Sequence, residues 1–220
     1  MGNAEQEDDV TWYLEYIREC SDRCYGKIGD GSEYDDCVYQ MLQEVIKNSI
    51  DEFKTGYGNR IEISIDYASG EMSVRDYGRG APIGNIVSCF VGGDLRGMWP
   101  SNEIVITPDC VASAGVKKVC ALSVRFHVRS VREGEYGEIV VEGGKMILHE
   151  QGKCAAEEKN GLFVRWIPDA TIFPKLTIVE EHVVRRIKEC AAANPGLKFI
   201  LNEQEITVTE KVKKLLLHDE

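Results

Sequence analysis

The chain has 220 residues, with 26 Lys and Arg against 37 Asp and Glu, for a formal net charge of -11. A chain of this length suits one large domain or two small ones and can bury a core without disulfide or metal staples. The acidic balance argues against an isolated domain that coats DNA, RNA or an anionic membrane, because all three repel it at long range. It leaves open a partner subunit that holds nucleic acid elsewhere.

Hydrophobic content of 43% with 29% charged residues is that of a globular chain. No apolar run approaches the roughly 18 residues of a membrane helix. The start, MGNAEQEDDVTW, has no apolar signal core, so a cytoplasmic protein without membrane contact is expected. Eight cysteines at 20, 24, 37, 89, 110, 120, 154 and 190 show no paired C-x-x-C spacing. Cys20 and Cys24 have no histidine or second pair near them, so reduced, partly buried thiols are expected rather than zinc.

In chain order, residues 1–13 form an acidic arm. Residues 11–20 start a helix with Trp12, Tyr13, Tyr16 and Ile17 on one side, and YGKIGDGS then breaks regular structure. The strongest helix signal is 35–54, where Val38, Met41, Leu42, Val45, Ile46, Ser49, Ile50 and Phe53 advance by three and four. Gly56 and Gly58 end it. Ile61, Ile63 and Ile65, then Met72 and Val74, alternate with polar residues around Ala68-Ser69-Gly70, which predicts a hairpin.

The stretch 92–115 is long for a connection and reads as a functional flap or a partly disordered segment. Several strands follow over 124–167, with 150–160 as a loop. Thr177 and Glu180 form a capping-box pattern ahead of VVRRIKECAAA, and Asn194-Pro195-Gly196 stops that helix. The segments LKFIL and EITV make a last strand pair before a tail at 210–220. Helices and antiparallel strands mix without a strand-helix-strand rhythm. The predicted class is α+β, helices packed on one face of a mixed, mostly antiparallel sheet, rather than a doubly wound fold.

Within the 35–54 helix, Glu44 and Asn48 are four apart and share one edge of the apolar face. Asp51 lies a turn on from Asn48, and Lys47 points further towards solvent. A carboxylate here can deprotonate water and an amide oxygen can ligate magnesium; a plain solvated helix edge has the same pattern. Asp76-Tyr77-Gly78-Arg79-Gly80 comes directly off the second hairpin strand. Asp76 there can accept a hydrogen bond from a nucleobase amino group, and the glycines let backbone approach a ligand closely. His127 and His149 read as structural, His182 and His218 as solvent-facing.

EVIKNSIDEFKTGYG followed by VRDYGRGAPIG resembles the ATPase domain of the GyrB/ParE subunits of type IIA DNA topoisomerases, members of the GHKL (Bergerat-fold) family. The resemblance runs from about Leu14 to Thr209, is dense from Asp35 to Gly84, and has patches in ALSVRFHVRSVREG, GLFVRWIPD and NPGLKFILN. It implies a GHKL ATP-binding domain over 14–209 with a lid-like loop at 92–117. It further implies Glu44 as the general base, Asn48 as the magnesium ligand, and Asp76 as reader of the adenine amino group with Gly80 beside the base. Arg79 and Pro82 match the pocket mouth and Arg132 a rim arginine. With the helix edge and the lid, the nucleotide-contacting set is Asn48, Asp51, Asp76, Arg79, Gly80, Pro82, Gly115, Lys117 and Arg132.

ATP and magnesium are the implied cofactors. The implied partners are a second copy of the domain on ATP binding, and a topoisomerase A-type subunit and DNA reached only through parts outside this chain. Departures fall at positions with known jobs. Lys47 stands where the family has an aspartate, and Leu162 where it has a threonine. VASAGVKKVCALS keeps Gly115 alone of the lid glycines, with Lys117 and Lys118 as either phosphate-facing charges or a solvated pair. CSDRCYG at 20–26 keeps only its last glycine. The family's second domain, with its phosphate-reaching lysine, would lie beyond Glu220. Two functions are therefore expected: the ATPase domain of a topoisomerase B-like subunit, poor in turnover alone, or a degenerate paralogue with a scaffolding or association role.

Overall fold

The computed structural model describes residues 14, 15, 17–19, 27–92 and 115–209. The expectations for the acidic arm, the 20–26 segment, most of the lid-like loop (93–114) and the tail at 210–220 lie outside the described residues. Of the expected first helix, residues 14, 15 and 17–19 are helical, with Leu14 and Ile17 buried.

Helix α1 spans Cys37–Lys54 and buries the face read from its periodicity, including Val38, Met41, Leu42, Val45, Ile46, Ser49 and Ile50. Strands β1 (Arg60–Ile65) and β2 (Met72–Asp76) form the expected hairpin. A single 3-10 turn (Ile83–Asn85) leads into α2 (Ile86–Phe90), and α3 covers Val116–Ala121. Strands β3 (Ser123–Arg132), β4 (Glu135–Glu142), β5 (Lys145–Lys153) and β6 (Gly161–Pro168) follow. Helix α4 (Glu180–Ala193) and strands β7 (Lys198–Leu201) and β8 (Gln204–Ile206) complete the described chain.

All eight strands join one sheet in the order β5-β4-β3-β6-β2-β1-β7-β8, antiparallel except where β1 runs parallel to β7. This is the expected α+β class. The hairpin turns Glu133-Gly134, Gly143-Gly144 and Asn202-Glu203 all hold positive φ, the twist that two-residue loops need to match right-handed strands.

The two sheet faces differ. Ile61, Ile63, Met72, Val74, Phe126, Val128, Val164, Trp166 and Phe199 are buried in one core cluster with α1 and with Val183 and Ile187 of α4. On the other face, side chains alternate out of that core and pair across strands. Arg125 meets Glu142 at 2.7 Å, Arg129 meets Glu138 at 2.6 Å and Glu158 at 2.8 Å, and Arg165 meets Glu71 at 3.7 Å. Exposed pairs of this kind contribute little stability each; here they mark the sheet face on which no helix packs among the described residues.

Four local expectations change. Helix α4 starts at Glu180 with Val179 as N-cap and no side-chain cap bond, so Thr177 does not cap it. Tertiary acceptors replace the cap: the Thr177 N–H donates to the Asp30 carbonyl at 2.7 Å and the Val179 N–H to the Tyr39 hydroxyl at 2.9 Å. Strand β5 reaches Lys153 because Glu135 of β4 still pairs with it, so the loop begins at 154. His182 does not face open solvent; its ring packs edge-on to Tyr34 and Tyr39, with Nε2 2.9 Å from the Ser32 carbonyl. Lys117 and Lys118 are not a solvated pair, since Lys118 is buried and Lys117 half-buried.

Cys37, Cys89, Cys120, Cys154 and Cys190 are free thiols. Burial pushes the Cys37 thiol up to about 12. Among the described residues no helix is long and apolar enough to cross a membrane. Because Ile46 is fully buried at the centre of α1, Ile46→Ala is expected to cost about 2–5 kcal/mol, read as a lowered urea midpoint with unchanged m-value.

Candidate functional site

One edge of α1 and the loop after β2 face each other. Glu44 and Asn48 are half-exposed on that edge, while Lys47 and Asp51 are exposed. The four-residue step continues to Glu52, not Asp51, so Glu52 is the third member of the stripe. Helix α1 then ends in a Schellman motif: Gly56 N–H donates to the Phe53 carbonyl at 2.9 Å and Tyr57 N–H to the Glu52 carbonyl at 3.0 Å. Gly56 takes the left-handed conformation this end requires, with φ of 92°. The motif sets Tyr57 beside Glu52.

Arg79 sits in the cradle they make. Its Nε and Nη2 donate to the two Glu52 carboxylate oxygens at 3.1 and 2.9 Å, and its backbone N–H reaches the same carboxylate at 3.1 Å. The guanidinium lies 4.3 Å from the Tyr57 ring centroid. The Arg79 hydrogen bonds hold the Glu52 carboxyl below its usual range against the opposing effect of burial. A planar cation held at two edges and one face is fixed in orientation.

Asp76, at the end of β2, is 4% exposed. Its Oδ1 accepts the Gly78 N–H at 3.0 Å and the Leu162 N–H at 3.1 Å, and its Oδ2 accepts the Ser49 hydroxyl at 3.0 Å. Burial raises its carboxyl above the ordinary 3.8, opposed by these three hydrogen bonds. Leu162 cannot donate from its side chain, but its backbone N–H joins Asp76 all the same.

Gly80 has φ of 78°, and a Cβ there would run into the Val131 carbonyl oxygen. Around it, Arg132 Nη1 reaches the Gly80 carbonyl at 3.4 Å and the Ser130 hydroxyl donates to the Ala81 carbonyl at 3.0 Å. Pro82 is exposed at the head of the 3-10 turn. Gly115, with φ of 53°, precedes α3, and a Cβ on it would lie 3.7 Å from Glu44 Oε2. The start of α3 is thus against the Glu44 carboxylate. Lys117, two residues on, has its ammonium pKa lowered by burial, with Cys89 of α2 as its electrostatic neighbour.

The structure therefore brings Glu44 to Gly115, and Arg79 and Gly80 to Glu52 and Arg132. Asp51 stays in solvent. Sequence reasoning misses Ser49, Glu52 and Tyr57. Helical phase from Asn48 is the signal that could have found Glu52, whereas Ser49 looks like an ordinary member of the buried face. For a magnesium ion, the donor set is Asn48 with Glu44 nearby, and among the described residues no group of three His, Cys, Asp or Glu gathers. That fits an ion held by one amide oxygen and otherwise by water and phosphate, not a protein cage.

A cavity of about 440 Å³ lies on the helix-free face, lined in part by Arg75, Arg129, Glu158 and Phe163. Both of its arginines are engaged, Arg75 by the Lys159 carbonyl and Arg129 by Glu138 and Glu158, and Arg75 points to the sheet face opposite the buried Asp76.

The chain is 37% identical over 191 residues to the B subunit of DNA topoisomerase 4 from Borreliella burgdorferi, covering 87% of this chain and 31% of that protein. The chain belongs to the GyrB/ParE family of GHKL ATPase domains. It is also 29% identical over 201 residues to the B subunit of DNA topoisomerase 4 from Enterococcus faecalis, covering 83% of this chain and 27% of that protein. The DNA gyrase B subunit of Mycobacterium tuberculosis is 28% identical over 206 residues, covering 90% and 29%. The chain thus spans about a third of the length of these relatives. The fold matches the 43K ATPase domain of Thermus thermophilus gyrase B, crystallised with an aminocoumarin, with a TM-score of 0.69 at 22% identity. That match covers 89% of this chain and 50% of the other. No family model matches the chain.

Asp76 and Gly80 each make a stability measurement informative. The native state keeps the Asp76 proton to higher pH than the unfolded chain does. Its contribution to stability is full below the ordinary carboxylate value of 3.8 and is lost as pH rises through the raised native value. An asparagine oxygen still accepts the Gly78 and Leu162 N–H groups and its amide can donate to Ser49 Oγ. Asp76→Asn is therefore expected to unfold at neutral pH at no lower urea concentration than wild type, with its relative advantage shrinking towards pH 4. Gly80→Ala, by contrast, is expected to lose about 1–3 kcal/mol in the same titration because the backbone must move.

Proposed function

We propose that this chain is the ATP-binding domain of a type IIA topoisomerase B-like subunit, and that its site binds ATP with magnesium and activates water against the terminal phosphate. The observation that carries the reading is the buried Asp76 carboxylate, tied through Ser49 to α1 at the residue after Asn48 and held as well by the Gly78 and Leu162 N–H groups. Asp76 is the acceptor for the exocyclic amino group of adenine, with Gly80 allowing close backbone approach to the base. Arg79, Pro82 and Arg132 form the mouth.

Glu44, lying against the start of α3, takes the proton from the attacking water. Bound through Asn48, magnesium supplies neutralisation of phosphate charge. Gly115 gives backbone access at the phosphate end, and Lys117 adds a point charge there. Asp51, exposed beyond this cluster, acts at most on outer parts of the nucleotide. In the cytoplasm, nucleotide binding would pair this domain with a second copy. DNA strand passage would then require an A-type subunit and regions outside this chain.

Leu162 in place of the family threonine, and an α3 entry with a single glycine, favour the second reading, a scaffolding paralogue that binds nucleotide weakly or not at all. Calorimetric titration with a non-hydrolysable ATP analogue and magnesium separates the two. Saturable binding that Asp76→Asn abolishes without unfolding the protein supports the first, and no heat at millimolar nucleotide supports the second. If the chain turns ATP over, Glu44→Ala is expected to cut the rate by about 100-fold or more while leaving analogue binding in place.

A further inference from the structure

We infer that Ser49 is a positioning residue that sets the preference of this site for a purine bearing an exocyclic amino group. The inference rests on the ATP-site reading above.

Ser49 is 4% exposed on the face of α1 that packs on the sheet. A buried serine inside a helix ordinarily returns its hydroxyl to a carbonyl one turn back. Here the hydroxyl leaves its own helix and donates to Asp76 Oδ2 at 3.0 Å, across 27 residues of chain. Asp76 Oδ1 is occupied by two backbone N–H groups.

A carboxylate offers about four acceptor positions. Three are filled by protein donors, two on Oδ1 and one on Oδ2, so the remaining one is on Oδ2. Ser49 therefore decides which direction of Oδ2 stays open. It also prevents the carboxylate from turning about its last torsion to meet a ligand of different pattern. A base presenting N–H at that position completes the set. One presenting a carbonyl oxygen meets an anion whose orientation cannot relax, and a site whose buried polar groups are fixed discriminates strongly against a mismatched partner.

Without the hydroxyl, Asp76 keeps its two backbone donors on Oδ1 but loses the contact that orients Oδ2. Alanine fits the space, since it is smaller and favours helix. The consequence is a loss confined to ligands that use Oδ2.

The test is a calorimetric comparison of non-hydrolysable adenosine and inosine triphosphate analogues, with magnesium, on wild type, Ser49→Ala and Ser49→Thr. The wild type is expected to prefer the adenine analogue. Ser49→Ala is expected to lose about tenfold in adenine affinity with inosine affinity unchanged, so that discrimination narrows. Ser49→Thr, which keeps a hydroxyl, is expected to hold the wild-type ratio. A purely structural role predicts equal losses for both nucleotides, or a lowered urea midpoint with the ratio intact, and either result overturns the inference. If the wild type binds nucleotide and Ser49→Ala discriminates as well as it does, only the Ser49 role falls. If the wild type binds neither analogue, the ATP-site reading falls and this inference falls with it.

Discussion

The Asp76 carboxylate is the point on which the candidate site depends. Helix α1 reaches it through Ser49, the start of β6 through the Leu162 N–H, and the loop after β2 through the Gly78 N–H. A charge removed from water is costly unless it is met by donors. Two of these donors, Ser49 and Leu162, come from elements distant in the chain and the third from the loop that follows Asp76, so the carboxylate is fully satisfied only when α1 and β6 are both in place against β2. Its raised pKa shows that the donors offset burial without cancelling it. Residual cost of this kind, held by surrounding structure, is common at sites built to bind.

The core and the strand pairing explain how that cost is carried. Trp166, Phe126, Phe199 and the α1 face are fully or nearly fully buried beneath the site. The sheet that supports them is mostly antiparallel, joined at three points by two-residue turns with positive φ. Such connections leave little freedom in strand register. Strand β2 is itself paired on both sides, with β1 as far as Asp76 and with β6 as far as Arg75, and this places the Asp76 carboxylate.

Much of this is legible in the sequence, for reasons that can be assigned. The α1 face, the β1–β2 hairpin and the α+β class follow from periodicities of 3.6 and 2 that the packed core enforces. Glu44, Asn48 and Asp76 stand out because their chemistry and spacing match a known motif. Ser49 does not, because a serine on an apolar face has no signature until its partner is seen across the helix–sheet interface. Proximity to Asn48 favours Asp51 over Glu52, and only the contact with Arg79 separates them. The Thr177 capping pattern is overridden by tertiary acceptors from Asp30 and Tyr39. The burial of Lys118 is likewise invisible in a local charge pair, since it depends on where α3 packs against α1.

The way α1 stops has a geometric consequence for the mouth of the cleft. Its last turn delivers Glu52 and Tyr57 together, and Arg79 is held by both. Each helical residue advances the side-chain direction by about 100°. One residue inserted or deleted between Ile50 and Gly56 would therefore turn the helix terminus by about that angle and swing it away from the arginine. In this protein the helix acts as a ruler as well as a wall, and its length in whole residues is part of the recognition geometry.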